Sequence, residues 1–141
     1  MSIVFVDTNV MVYALLKTTR KLQPHEVKTK ESAKNILGRI NEGEKVACSV
    51  VHFSELCNIL ECYMSFEDAL ELEKGLLLRR NIQICDVTQE DYLSAVATAE
   101  QNCVGLNDAL AYIVMKKAGV TKIYTFDKHF DGFSDIERLT E

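Results

Sequence analysis

Ile3-Val4-Phe5-Val6-Asp7-Thr8-Asn9-Val10 places an unbroken apolar run directly against three polar residues. Four apolar residues in a row mark a strand buried on both faces, the habit of a parallel sheet. Asp, Thr and Asn all favour helix N-caps. Val10, Met11, Ala14 and Leu15 then fall at helical spacing. The chain therefore opens as a buried strand running into a helix.

The same alternation continues outward from this stretch. The polar segment 17–30, with the only proline, reads as a loop or a frayed helix end. Ala33, Ile36, Leu37 and Ile40 form the apolar stripe of a helix that Asn41-Glu42-Gly43 ends. Val46 to Val51 reads as a second buried strand, and from about Phe53 to Tyr63 apolar residues return at helical spacing. Ser65-x-x-Asp68 and Thr88-x-x-Asp91 resemble capping boxes opening helices over roughly 66–80 and 89–103, with a strand at 82–87 between them. Asn107-Asp108 reads as the cap of a helix that stops at Gly119. A further buried strand, Ile123-Tyr124-Thr125-Phe126, ends at Asp127, and 136–139 suits a short edge strand. Strands separated by helical stretches of ten or more residues imply crossover connections. The expected class is α/β: a central, mainly parallel sheet with helices on both faces, in three layers and one domain over residues 1–141.

Composition agrees and excludes other classes. The chain has 141 residues, 48% of them hydrophobic, enough for one core and too apolar for disorder. No apolar run approaches the ~20 residues of a membrane span. Met-Ser-Ile-Val-Phe-Val-Asp lacks the basic start of a secretory signal. Five cysteines (48, 57, 62, 85, 103), an odd number without a C-x-x-C pair, read as free and mostly buried thiols of a cytoplasmic protein. The net charge of −5 argues against a protein that coats nucleic acid. Its distribution is uneven, because residues 17–45 carry eight bases against four acids while residues 46–141 carry eight against sixteen. A basic segment beside an acidic body can hold a polyanion, or can simply be a solvated helix face and loop.

In open α/β sheets ligands bind beyond the carboxyl ends of the strands. Asp7 and Asp127 directly follow strands, Glu55 falls near the start of a helix after a strand, and Asp108 begins the helix leading into the strand before Asp127. Each acid alone has an ordinary explanation as a cap, a dipole partner or a turn residue. Four at one rim repel one another unless a cation offsets them. Oxygen ligands suit a hard ion, Mg²⁺ or Mn²⁺. His25, His52 and His129 show no zinc-ligand spacing. A carboxylate-held Mg²⁺ that keeps water is equipped for phosphodiester hydrolysis. Walker, dinucleotide-binding and nucleophile-elbow motifs are all missing from the sequence.

Ile3 to Val10 resembles the opening of a PIN-domain ribonuclease. So do Ser54-Glu55-Leu56, Leu106-Asn107-Asp108-Ala109-Leu110 and Tyr124-Thr125-Phe126-Asp127-Lys128-His129-Phe130. Order and spacing are similar to the compact prokaryotic members, including the VapC-type toxins, over essentially the whole chain. The resemblance implies a PIN-like fold and a Mg²⁺- or Mn²⁺-dependent endoribonuclease. It implies catalytic and metal-binding roles for Asp7, Glu55, Asp108 and Asp127, with Asp7 and Asp108 as direct ligands. Thr8, Asn9 and Thr125 stand where the family places small polar residues that orient the acids or bind phosphate. It also implies an RNA substrate, a small antitoxin partner and a homodimer, for which Leu76-Leu77-Leu78 reads as core or dimer surface. The segment 17–30 departs by being longer and more basic than in the shortest members. Two other readings are a housekeeping RNA nuclease and a non-catalytic interaction module. A haloacid-dehalogenase-like phosphatase also starts with strand and Asp, but Asn9 stands where its second Asp belongs. Asp131, also nearby, reads as a helix-end or surface charge.

Overall fold

The structure is a computed structural model that describes residues 2–17 and 20–141. Among these residues the chain alternates strand and helix: β1 (Val4–Val6), α1 (Thr8–Leu15), α2 (Pro24–Asn41), β2 (Val46–Ser49), α3 (Val50–Tyr63), α4 (Phe66–Leu77), β3 (Ile82–Cys85), α5 (Gln89–Asn102), α6 (Leu106–Ala118), β4 (Lys122–Tyr124), a 3₁₀ turn (Lys128–Gly132) and β5 (Glu137–Leu139). The five strands form one sheet in the order β3-β2-β1-β4-β5, and every pairing is parallel. β1 sits at the centre, with Val4 opposite Val46 on one side and Lys122 on the other. The fold is the expected three-layer α/β/α arrangement.

Alternation along β1 assigns its side chains to two cores. Val4 and Val6 pack with Val10, Ala33, Ile36, Leu56, Leu60 and Leu76, which α1 to α4 contribute on one face. Phe5 packs on the other face with Ala95, Leu110, Val114, Ile123 and Phe130, from α5, α6, β4 and the 3₁₀ turn. With both faces covered, a strand must be apolar throughout, which is why Val4-Phe5-Val6 is unbroken.

Several boundaries differ from the sequence reading. β2 ends at Ser49 because the Ser49 hydroxyl accepts the His52 backbone N–H at 3.1 Å and caps α3. The apolar pair Val50-Val51 continued the strand by pattern but lies in the first turn of the helix. The 17–30 loop is shorter than expected: Pro24 occupies the first position of α2, where its missing N–H costs nothing. Glu26 there accepts the Gln23 backbone N–H. Thr18 and Thr19, inside that expected loop, lie outside the described residues. Thr88 and Asp91 form the full reciprocal capping box of α5, whereas Ser65 shows its half only, accepting from the Asp68 N–H. α6 begins at Leu106 with Gly105 at the cap, so Asp108 is its third residue and not the cap.

The thiols are less buried than expected. All five are free, but Cys62 and Cys103 are exposed and Cys48, Cys57 and Cys85 half-buried. Leu76 enters the core while Leu77 and Leu78 face solvent. No helix among the described residues is long and apolar enough to cross a membrane.

Candidate active site

β1 and β4 are neighbours, so the residues just beyond them emerge side by side at one rim. Asp7 follows β1 and is nearly buried, with its backbone N–H held by the Tyr124 carbonyl at 3.0 Å. It stands at the N-cap position of α1, yet its side chain makes no capping bond. Instead Asp7 Oδ2 accepts the hydroxyl of Thr125 at 2.7 Å. Thr125, fully buried, also accepts the Asp127 backbone N–H at 3.1 Å, so one hydroxyl fixes both acids.

Glu55, in the second turn of α3, and Asp108, in the first turn of α6, complete the cluster. The Asn107 side-chain amide donates to Glu55 Oε1 at 3.2 Å, joining these helices across the rim. Burial raises the pKa of Asp7, against the pull of the Thr125 hydrogen bond, and the charge of Asp127 adds to the rise. Burial also raises Glu55, with Asp7 and Asp108 contributing repulsion. Asp108 is pushed up to about 6 by burial and then by Asp127 and Asp7. Asp7 and Asp108 thus each lie within the electrostatic reach of both Glu55 and Asp127, although four separate segments deliver the acids.

A carboxylate cluster of this kind accepts a cation readily, because an ion removes the repulsion that otherwise favours protonation. Asp108, Asp127 and His129 each offer one ligand atom, all within 4.8 Å of one another. This oxygen-rich donor set with one imidazole fits a divalent metal.

The PIN domain family model matches residues 4–136. The chain belongs to the PIN domain family. Solved structures agree on the fold. A toxin–antitoxin complex from Klebsiella pneumoniae is similar at 16% identity and TM-score 0.68, covering 94% of each chain. VapBC2 from Rickettsia felis, bound to a DNA fragment from its promoter, is similar at 19% identity and TM-score 0.66, covering 97% of each. VapC20 of Mycobacterium tuberculosis, a toxin cleaving the sarcin–ricin loop, is similar at 21% identity and TM-score 0.69, covering 91% of this chain and 92% of that one. No curated protein matches the chain.

Two residues of this PIN domain's rim escaped the sequence reading. His52 is buried and stands edge-on to Phe5, with ring centroids 5.5 Å apart. Its Nε2 lies 3.1 Å from the Asn107 carbonyl, which can only accept, so Nε2 carries the proton. Nδ1 therefore accepts the Ser49 hydroxyl at 2.5 Å in the neutral ring. Burial lowers the His52 pKa, opposed by the charge of Asp7 and the bond to Asn107. The other residue is His129, which has no ligand spacing in sequence but sits with Nδ1 2.8 Å from Asp127 Oδ1. Its backbone N–H donates to the same oxygen at 2.9 Å, because Asp127 caps the 3₁₀ turn. The only available signal for His52 was its place three residues after a capping serine.

Other expected residues divide. Thr8 is buried, and its hydroxyl donates to the His52 carbonyl at 3.1 Å, tying the start of α1 to α3. Asn9 is exposed beside it. Asp131 lies apart, paired with Arg138 at 2.9 and 3.2 Å. In the basic segment, Arg20 is paired with Glu26 and Arg39 with Glu44. Lys30 donates to the Tyr13 and Leu16 carbonyls at the end of α1. Three of its eight bases therefore serve the fold.

Proposed function

We propose that this chain, as one PIN domain over residues 1–141, is a divalent-metal-dependent endoribonuclease that hydrolyses RNA phosphodiester bonds. In this reading it is the cytoplasmic toxin of a toxin–antitoxin pair and works as a homodimer. The observation that carries it is the convergence of Asp7, Glu55 and Asp108, each with its pKa raised by burial and by the other acids of the rim. A fold gains nothing from charges packed against one another unless they hold a cation. The similar solved structures, toxins with their antitoxins among them, support a small protein partner.

Bound there, Mg²⁺ or Mn²⁺ would supply Lewis acidity toward a phosphate oxygen and a water of lowered pKa. Asp7 and Asp108 are the proposed direct ligands. Glu55, held by Asn107, orients the attacking water and accepts its proton. Asp127 completes the metal-binding set from the next strand end, beside Asp108. Thr125 holds Asp7 in one rotamer, and His52 sets how closely α6 approaches α3. Without a cation the acids repel the RNA backbone, so binding and cleavage depend on the metal together.

The test is cleavage of a mixed RNA substrate by wild type and Asp7→Asn, with Mg²⁺ or Mn²⁺ and with chelator. Cleavage by the wild type alone, abolished by chelator, is expected. Equal activity of the two proteins removes the mechanism.

A further inference from the structure

His129 is an exposed side chain whose ring is nonetheless held in one place. Its Nδ1 lies 2.8 Å from Asp127 Oδ1, and its own backbone N–H binds the same oxygen at 2.9 Å. Asp127 is itself fixed through its backbone N–H to Thr125. The imidazole is thereby tethered at both main chain and side chain to an acid of the rim. Asp108, from the start of α6, brings its carboxylate to the same point, so the three donor atoms fall within 4.8 Å of one another. A neutral imidazole that carries its proton on the exposed Nε2 turns the Nδ1 lone pair toward the same point as Asp127 Oδ1, and 2.8 Å is a spacing that two neighbouring ligands of one ion can keep.

We propose that His129 supplies a nitrogen ligand to the ion held by Asp108 and Asp127, and that this makes the site selective for Mn²⁺ over Mg²⁺. The proposal rests on the metal-dependent reading of the acidic rim and goes beyond it by naming a ligand and a preference. Mg²⁺ favours near-octahedral oxygen coordination and gives up its waters reluctantly. Imidazole nitrogen suits transition metals, of which Mn²⁺ still accepts the accompanying carboxylates. A purely carboxylate rim would take either ion, whereas one nitrogen donor favours the softer of the two.

The experiment measures binding and not cleavage. Mn²⁺ and Mg²⁺ are titrated calorimetrically into the metal-free full chain and into His129→Ala and Asp108→Asn, at a pH where imidazole is neutral. Pulsed electron paramagnetic resonance on the Mn²⁺ complex reports any directly bound nitrogen. For wild type the expected result is a nitrogen hyperfine coupling and Mn²⁺ affinity about tenfold or more above that for Mg²⁺. In His129→Ala the coupling disappears and Mn²⁺ affinity falls to near that of Mg²⁺, while Mg²⁺ binding changes little. Because His129 is exposed, thermal melting should show the variant folded. Mn²⁺ bound without nitrogen coupling, or with unchanged affinity in His129→Ala, overturns the role of His129 and leaves the acidic site standing. Failure of wild type to bind either ion, or binding undiminished in Asp108→Asn, overturns the acidic site and the proposal with it.

Discussion

His52 on α3 donates its Nε2–H to the backbone carbonyl of Asn107 on α6, across 55 positions of sequence. The residues beside these two, Asp108 and Glu55, belong to the acidic rim. A buried histidine therefore acts as a spacer between two helices whose acids must meet. Replacing it with Leu removes the ring's two hydrogen bonds, to the Asn107 carbonyl and the Ser49 hydroxyl, at about 1–3 kcal/mol. We expect His52→Leu to lower the Tm and to cut cleavage about tenfold or more, as loss of a group that orients metal ligands commonly does. A variant that melts lower but cleaves normally when folded would show that the bond serves stability alone.

Thr125 presents a cleaner separation of the two effects. Its hydroxyl donates to Asp7 and accepts from the Asp127 N–H, and Val has the same shape without that oxygen. Thr125→Val should destabilise by about 1–3 kcal/mol, because two buried polar groups lose their partner. The hydrogen bond lowers the Asp7 pKa against burial, so its loss lets that pKa rise further. The acidic limb of the cleavage profile should then move to higher pH in Thr125→Val and stay in place in Thr125→Ser. An unmoved limb in the valine variant would mean that Asp7 does not govern it.

The fold was readable because each buried strand announces itself as an apolar run and each helix by its spacing. Errors gathered where the two patterns join. Val50 and Val51 look like strand because both are apolar, and only the capping role of Ser49 shows that the helix has begun. Asp7, Glu55, Asp108 and Asp127 could be placed at one rim from topology, since the ends of parallel strands share an edge. Asp108 reads as a cap because Asp is common there, while Gly105 holds that position. His52 and His129 were beyond reach for a different reason. Asn107 and Asp108 are brought to them by α6 docking, which no local pattern encodes, and only the Asp127 that holds His129 is near in sequence.

Asp108 gives the pH dependence its sign. Burial and the charges of Asp127 and Asp7 push its pKa up to about 6, above the ~3.9 of an unfolded chain. The folded protein therefore binds the proton more tightly, and the associated stability, full below about pH 4, is lost as pH rises through about 6. Asp108→Asn removes that loss. In chelator its Tm should exceed that of wild type near pH 8, with the gap closing as pH falls towards 4. Millimolar Mn²⁺ near pH 8 should raise the wild-type Tm by mass action and leave the variant largely unchanged. A gap independent of pH would show that Asp108 is not strained by its neighbours.

Glu73 is a second buried acid, far from the rim in role. It lies on α4, 6% exposed, and its Oε2 has no hydrogen-bond partner among the described residues. Burial raises its pKa, and the Glu61 carboxylate on α3 raises it further, while the Cys57 thiol pulls it back. The α3–α4 contact thus disfavours the charged form of Glu73. Glu73→Gln keeps the shape without the charge, so it should raise the Tm near pH 8. Because the raised pKa means wild type regains its proton on acidification, the advantage should vanish by about pH 4. Parallel melting curves of the two proteins across that range decide the matter. A variant less stable than wild type near pH 8 would mean that the Glu73 carboxylate has a cationic or donor partner holding α4 in place.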